Sequence, residues 1–407
     1  MNARRRNQHG VALAALSCAL AAPAAVWAQE AQRPWYVGLT QDFTHYSNVL
    51  QLPTGEISDT ISTTTLRGGV NANLGRQRVY ANAALNHQRY SDLSERNNDG
   101  YVVGLGLDWQ TIEQLSGSLK LDSQRRQADF NAGGIVPVTL SNIERSDDLG
   151  FRVRFGVASL VGLEAGAGHR RVNFSALEYA AQEYKQDNAS VGAVYRPSGI
   201  LSLSGGIAGA DTRFLAPAAG QTESDRSKRR DVYIGAEWVP TGASTINARL
   251  AVGKLEYDLA TAADFDGVTG TLNWIWKPTG RLTTTTSLSR DTGQESGFLR
   301  QGDGTVSTAT DLAQVTNRLG VSGQYEITGK IGLTGDLFAS RRTLVDGFIG
   351  VASRDRATGV ALGLRWAVTR TIALGCNVAR ESRSASGPGS TDYDNDRYGC
   401  FGSVTLD

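Results

Sequence analysis

The chain has 407 residues with 41 basic and 40 acidic side chains, and its formal net charge is +1. A charge this close to zero excludes a global field that would attract nucleic acid or an anionic membrane surface. Glycine is abundant at 47 residues, proline is scarce at 9, and no segment shows a convincing helical period. The composition therefore favours a protein made of strands and turns.

The first 28 residues have the organisation of a secretory signal peptide. Residues 4–6 are arginines, residues 11–25 are apolar and rich in alanine, and Val26 and Ala28 occupy the usual small-residue positions before a cleavage site. We expect the mature chain to begin at Gln29. Cleavage would remove three arginines and no acidic residue, which changes the net charge from +1 to −2.

Two alternatives to cleavage are less favoured. The apolar run is short for a membrane-spanning anchor, which needs about 20 residues. A lipoprotein would use Cys18, but Ala15 is a poor first residue for that motif. Beyond residue 28 no apolar run approaches the length of a membrane helix, so the chain is either a secreted β-protein or a barrel in an outer membrane.

Residues 359–380 show the repeated unit of the chain most clearly. Apolar side chains occupy alternate positions from Val360 to Val368, a short turn follows at 369–370, and the alternation resumes from Ile372 to Val378. A period of two is typical of a strand with one apolar face. The unit is therefore a hairpin with a tight turn.

Similar turns and a second class of longer, polar connections recur along the chain. The short turns are at 74–77, 111–114, 159–162, 196–199, 240–243, 277–280, 327–330 and 368–370, and the longer loops are at 48–60, 94–100, 130–146, 176–184, 215–227, 259–266, 292–305, 344–353 and 384–392. Eight turns separate nine hairpins, which gives 18 strands, beginning with residues 35–46. Short turns at one end and long loops at the other are typical of outer-membrane barrels. The sequence predicts an all-β fold, a transmembrane antiparallel up-and-down barrel of 16–18 strands, most simply 18, formed by one domain over residues 29–407. A soluble β-sandwich is the alternative.

Aromatic residues support the membrane interpretation, because they gather at the turn ends of the strands. Trp and Tyr prefer the interface between lipid and water. The predicted interfacial girdle consists of Trp109, Tyr195, Trp238, Trp274, Trp276, Tyr325 and Trp366.

The opposite faces of the same strands are small, polar or charged, which neither lipid nor a dry core would accept. A barrel of about 18 strands leaves a water-filled lumen for them. The predicted lumen-lining residues are Arg152, Arg154, Arg318, Arg365, Asp108 and Glu237, with three adjacent arginine pairs (125–126, 229–230 and 341–342) nearer the loops. These arginines either guide anionic or hydroxyl-rich solutes or simply solvate the wall and pair with its carboxylates. We favour the second interpretation, and no continuous row of lumen aromatics is evident.

No pattern points to catalysis, a cofactor or a metal. Three histidines remain after residue 28, and neither a metal-ligand spacing nor a phosphate-binding loop occurs. His87 or His169 could serve a lipid hydrolase on the outer wall, but neither accompanies a nucleophile motif. We expect a non-enzyme.

Cys376 and Cys400 are each 12 residues from Pro388, the centre of the last long loop. In a symmetric hairpin they would lie opposite each other and point the same way, close enough for a disulfide. Two free thiols are the alternative.

The pattern as a whole resembles a family of outer-membrane β-barrels encoded in exopolysaccharide loci beside exosortase systems, called EpsL, within the wider β-barrel porin class. The resemblance rests on the signal peptide, YVGLTQDFTHYSNVL near the start, YVVGLGLDWQ and VYIGAEWVPTG in the middle, and RYGCFGSVTLD at the end. It implies a part in exporting a secreted polysaccharide, as a conduit or accessory, with outer-membrane lipid, the polysaccharide and its export machinery as partners. The family defines no catalytic residues. A diffusion porin, general or solute-selective, is the first alternative, and a surface barrel that binds a partner is the second.

Overall fold

The computed structural model describes residues 34–111, 114–128, 141–157, 159–217, 222–259, 264–292, 313–345, 352–386 and 391–407. The predicted signal peptide and much of the predicted loops at 130–146 and 292–305 lie outside these ranges, so the predictions about them stay predictions.

Eighteen strands follow one another through the described residues, and this number confirms the one predicted from the turns. They are β1 Trp35–Tyr46, β2 Asp59–Leu74, β3 Gln77–Tyr90, β4 Asn98–Gln110, β5 Leu115–Gln127, β6 Ile143–Phe155, β7 Val161–Phe174, β8 Tyr184–Ser198, β9 Leu201–Phe214, β10 Arg226–Thr241, β11 Ser244–Tyr257, β12 Phe265–Trp276, β13 Leu282–Asp291, β14 Ala313–Glu326, β15 Ile331–Val345, β16 Ala352–Ala367, β17 Ile372–Ser386 and β18 Tyr393–Leu406. Two short 3₁₀ helices, Ser94–Arg96 and Leu177–Gln182, lie in loops. Within the described ranges, no helix is long and apolar enough to cross a membrane.

Each strand pairs antiparallel with its neighbours in sequence, and β1 also pairs with β18. That last pairing runs from Val37 opposite Leu406 to Tyr46 opposite Arg397. It closes the sheet, so no strand edge is left with unpaired backbone groups. The closed antiparallel barrel confirms the predicted fold class.

Three short turns differ from their predicted bounds by about two residues. β7 already begins at Val161, while β8 and β10 continue to Ser198 and Thr241. The two longer strands carry register shifts near their turns, between Tyr195 and Ser198 and between Trp238 and Thr241. An irregular residue in a ladder lengthens the strand without changing the alternation that the sequence displays.

The outward face of the barrel is a continuous apolar band. On β16, for example, Val360, Leu362, Leu364 and Trp366 are 41%, 59%, 47% and 47% exposed. Comparable side chains are exposed on nearly every other strand, which is far more apolar surface than a water-soluble monomer tolerates. Lipid is the solvent that fits this surface, and the protein is therefore a barrel of the bacterial outer membrane.

The seven aromatics predicted for the girdle all lie within a few residues of a short turn. Six are substantially exposed, and the seventh, Trp109, lies against Gly117 of the neighbouring strand. The Trp274 and Trp276 rings stack with centroids 5.8 Å apart, and the Trp274 indole N–H donates to the Ser244 hydroxyl at 2.8 Å. A polar handle at this depth is what an interfacial indole requires.

Cys376 and Cys400 occupy directly opposite positions on β17 and β18, on the lipid-facing side. Their sulfur atoms form a disulfide, and the Cα atoms are 4.0 Å apart.

For this pair we expect non-reducing peptide mapping to recover the two strands as one linked species. We also expect Cys376→Ser to lower the free energy of unfolding by about 3 kcal/mol, because the bridge closes a loop of roughly 25 residues in the unfolded chain. The measurement is the urea midpoint with and without reductant. Two free thiols in the mapping, or a midpoint that ignores reductant, would contradict this expectation.

Candidate functional site in the barrel lumen

The predicted lumen-lining residues all lie on the inward face of their strands. Arg152 and Arg154 alternate with Phe151 and Phe155 of β6, whose side chains are 44% and 55% exposed on the outer wall. The same parity turns Asp108, Glu237, Arg318 and Arg365 inward on β4, β10, β14 and β16.

The most charged sector of the lumen wall spans β6 to β11. Arg154 pairs with Glu164 of β7 at 3.1 Å from Nε to Oε2. Arg152 lies within electrostatic reach of the same Glu164 and of Glu237 on β10. On β11, the guanidinium carbon of Arg249 lies 3.6 Å from the centroid of the Tyr233 ring, a close cation–π contact. This cluster therefore contains three arginines and two glutamates. Nearer the mouth, the same strands add the pairs Arg170 with Asp148 and Arg229 with Asp231.

A second sector, on β3 to β5, is balanced. Arg78 faces Asp108 at 3.7 Å, and Lys120 faces Asp122 at 3.0 Å. Each pair places one cation beside one carboxylate on a wetted wall, where such pairs contribute little to stability. This sector matches the interpretation of charges that merely solvate the wall.

A third sector lies near the closure between β1 and β18, where two lumen arginines have no carboxylate at ion-pair distance among the described residues; the inward carboxylates of Asp42 and Asp336 lie elsewhere on β1 and β15. Arg67 of β2 donates to the Thr405 hydroxyl at 3.2 Å, and Arg365 of β16 lies close enough to repel it electrostatically. Within the described ranges, neither guanidinium has a carboxylate at ion-pair distance. These two arginines leave positive charge on the lumen wall.

Among the aromatic rings that face the lumen, five form a set with glycines that the sequence pattern did not reveal. Each is directly opposite a glycine on the neighbouring strand; the pairs are Tyr36 with Gly69, Tyr80 with Gly106, Tyr233 with Gly206, Phe338 with Gly359, and Phe401 with Gly375. A Cβ at Gly106 would lie 1.9 Å from the Tyr80 ring, and one at Gly359 would lie 2.2 Å from the Phe338 ring. The rings therefore lie flat on the wall, where only glycine leaves room. The pairing register between neighbouring strands would have revealed these rings, because it places each aromatic residue directly opposite its glycine.

Near the extracellular mouth the lumen wall carries buried ion pairs. Arg342 of β15 makes a two-pronged contact with Asp355 of β16, and Arg229 and Asp231 pair on β10 at 2.7 Å. Both pairs are almost completely shielded from solvent, with side chains between 1% and 8% exposed. Such pairs fix the positions of strand ends, because separating them would leave a buried charge.

The predicted arginine pairs near the loops require a correction. Only one member of each pair faces the lumen, namely Arg126, Arg229 and Arg342, because adjacent residues of a strand point to opposite sides. Arg125, Arg230 and Arg341 lie on the outer wall.

The loop between β1 and β2 folds inward over the mouth. Val49 and Leu50 are buried against Ile61 and Tyr90, two lumen-facing residues at the ends of β2 and β3. The Asn48 side chain holds the loop together: it donates to the Leu52 carbonyl at 2.8 Å and accepts from the Leu52 N–H at 2.9 Å.

Asp59 joins this loop to the next one, residues 91–97. Its carboxylate is 1% exposed and accepts the backbone N–H groups of Ser91, Asp92 and Leu93 at 3.0 to 3.1 Å, besides that of Thr60. Arg96 of the same loop is buried, and burial lowers the pKa of its guanidinium.

The connection between β7 and β8 also reaches the lumen side. Tyr179 of its 3₁₀ helix is 2% exposed, and its ring lies 5.4 Å from that of Phe174. Further round the mouth, Asp225 accepts backbone N–H groups from Arg226 and Leu259 at 2.7 and 2.9 Å. Burial raises the pKa of the Asp225 carboxyl. Inward loops thus narrow the mouth from two sides.

His87 and His169 lie on the outer wall, each against an aspartate. His87 Nδ1 is 2.6 Å from Asp99, and His169 Nδ1 is 2.8 Å from Asp187. Across the described ranges, no serine or threonine hydroxyl bonds to either ring, so no nucleophile accompanies them there. In the same part of the chain, no group of three or more His, Cys, Asp or Glu side chains is arranged to hold a metal.

Comparisons with known proteins give structural neighbours only. No protein-family model matches the chain, and no curated protein matches it. The chain is similar to the outer membrane protein OpdK of Pseudomonas aeruginosa, with a TM-score of 0.49 and 15% identity over 91% of this chain and 99% of that one. It is also similar to the FrpB iron transporter of Neisseria meningitidis (TM-score 0.44, 8% identity, 93% and 82% of the two chains) and to the siderophore receptor PirA of Acinetobacter baumannii (0.44, 8%, 93% and 81%). These scores are below 0.5, so the architecture rests on the strand register of this chain itself.

Proposed function

We propose that the protein is a passive channel through which small solutes, preferentially anions, cross the outer membrane. The observation that carries the proposal is the positive charge on a water-filled wall, above all at Arg67 and Arg365. An 18-stranded barrel is wide enough to leave an aqueous lumen, and fixed cations along it raise the local concentration of anions. In the β6 to β11 sector, Arg152, Arg154 and Arg249 lie near Glu164 and Glu237, which adds one net positive charge.

The test is conductance in planar lipid bilayers with purified protein. We expect discrete channel openings and, in a potassium chloride gradient, a reversal potential that indicates anion preference. The double variant Arg67→Gln, Arg365→Gln should lower the anion-to-cation permeability ratio about fivefold, because each charge contributes of the order of 0.5 kcal/mol in a wetted pore.

Arg145→Gln is the matched control, since it removes one arginine from the outer wall, where Arg145 pairs with Asp147 at 3.0 Å. It should leave the permeability ratio unchanged. A bilayer in which the purified protein opens no channels would contradict the proposed channel function. The remaining alternative would then be a surface barrel that binds a partner. An equal ratio in the wild type and the double variant would contradict the assigned role of these two arginines.

The export of a secreted polysaccharide is a second candidate, and the five lumen aromatics favour it. Four of these rings, those of Tyr36, Tyr80, Phe338 and Phe401, are partly exposed and present apolar surface of the kind on which sugar rings stack. The arginine guanidiniums beside Tyr80 and Phe338 can donate to hydroxyl oxygens. Deletion of the chromosomal copy should then reduce secreted polysaccharide, and Tyr36→Ala with Phe401→Ala should reproduce the defect. Unchanged secretion after deletion would remove this candidate.

A further inference from the structure

We infer that the outer wall carries a binding site for the phosphate groups of the outer-leaflet glycolipid, lipid A, formed by Arg341 of β15 and by Arg354 and Arg356 of β16. All three side chains are exposed and point outward, away from the lumen. The inference concerns the lipid-facing wall and is independent of what passes through the channel.

The first argument is that these arginines face each other without a carboxylate. Arg341 and Arg356 are directly opposite across the β15–β16 ladder, and Arg354 is the next outward residue above Arg356. Like charges directly opposite on a sheet are destabilising. Within the described ranges, none of the three has an ion-pair partner, and Asp355, which lies between two of them in sequence, points inward to Arg342.

Several other cations of the outer wall are neutralised by neighbours. Lys254 pairs with Asp266 at 3.4 Å, and Arg380 pairs with Asp396 at 3.6 Å. Opposed cations also occur at Arg230 with Lys254 and at Arg171 with Lys185. Within the described ranges, β15 and β16 bring three arginines together of which none has an ion pair, and this arrangement favours an external anion.

The second argument is depth in the membrane. Arg356 is ten residues from Trp366 on the same outward face of β16. At about 3.3 Å per residue and a strand tilt of roughly 40°, that separation is about 25 Å along the membrane normal, the height of the apolar band of such barrels. Trp366 marks the inner interface, so the guanidiniums lie at the outer one, where the glycolipid carries its phosphates.

The third argument is the polar surroundings of the site. Ser384 and Ser386 of β17 are opposite Arg356 and Arg354, and Thr343 of β15 is opposite Arg354 from the other side. Hydroxyl groups beside guanidiniums donate to phosphate oxygens, and arginine forks match phosphate geometry. Acyl chains alone could not satisfy the hydrogen-bonding groups of these guanidiniums and hydroxyls.

The test measures lipid binding to the purified, folded barrel by native mass spectrometry. The probes are bisphosphorylated lipid A, fully dephosphorylated lipid A and inorganic phosphate. We expect an adduct with bisphosphorylated lipid A, at least tenfold weaker binding of the dephosphorylated form, and no displacement by millimolar phosphate. The triple variant Arg341→Gln, Arg354→Gln, Arg356→Gln should lose binding at least tenfold.

A triple control removes three outer-wall cations that pair with carboxylates, by Arg226→Gln, Lys254→Gln and Arg380→Gln, and should keep wild-type binding. If the triple variant does not fold, the single variants Arg341→Gln and Arg354→Gln are measured instead. Each is expected to weaken binding about threefold. Equal binding by the site and control variants would overturn the proposal. So would displacement of lipid A by phosphate alone, which would assign the site to the free ion.

Discussion

Replacing Asp231 with alanine is expected to destabilise the barrel by about 3–5 kcal/mol, the cost of leaving one member of a buried ion pair without its partner. Arg229 and Asp231 are 2% and 1% exposed, so the guanidinium would have no water to replace the carboxylate. Arg229 also donates to the Thr269 hydroxyl at 2.9 Å and to the Thr292 hydroxyl at 2.6 Å. It therefore ties β10 to β12 and to the end of β13.

The measurement is the urea dependence of the folded barrel in detergent, followed by its heat-modifiable migration on a gel. The double variant Arg229→Met, Asp231→Ala should be less destabilised than Asp231→Ala alone, since it leaves no buried charge unpaired. Asp266→Ala is the control: its pair with Lys254 is 68% and 63% exposed, and such pairs contribute little. If the single and double variants unfold at the same urea concentration, the destabilisation of Asp231→Ala does not come from an unpaired buried charge.

Asp59→Ala is expected to release the inward loops at the mouth, because the Asp59 carboxylate accepts three N–H groups of residues 91–93 and that of Thr60. Each buried donor left without an acceptor costs about 1–3 kcal/mol. The cost falls on the loops and not on the sheet, since every ladder bond of β2 and β3 remains. We expect proteolysis within residues 91–97 to become much faster while the urea midpoint of the barrel changes little.

Asp59→Asn is the matched control for size. It keeps one acceptor oxygen but turns an amide donor toward the N–H of Leu93, so its proteolysis rate should lie between those of the wild type and the alanine variant. In the bilayer experiment, Asp59→Ala should also raise the single-channel conductance, because Asp59 holds the loop segment whose Leu93 packs against the apolar cluster of Val49 and Leu50 at the mouth. Proteolysis at the wild-type rate would show that the Asn48 bonds and apolar contacts suffice to hold the loops.

The sequence of β16 and β17 illustrates how much of this barrel can be predicted from the local sequence of single strands and hairpins. The alternation from Val360 to Trp366 predicts the strand, its lipid face and its lumen face, because side chains of a strand point to opposite sides with a fixed period of two. The same rule turns Arg365 inward. The spacing of short turns and long loops predicts 18 strands and their orientation. It also predicts that Cys376 and Cys400 are opposite, since a hairpin aligns residues at equal distances from its turn.

The tertiary structure decided what depends on register between strands that are distant in the chain. Closure brings β1 beside β18 across more than 350 residues, and it is this contact that places Arg67 near Thr405 and within reach of Arg365. Each of the five rings lies on a glycine because a neighbouring strand places that glycine directly opposite the ring. The pattern along one strand therefore does not predict the contact between Phe338 and Gly359. The inward fold of residues 47–58 depends on the Asn48 bonds and on packing against Tyr90, neither of which has a periodic signature. Period-two alternation is a property of each strand alone, whereas the charge and shape of the pore are properties of the closed sheet.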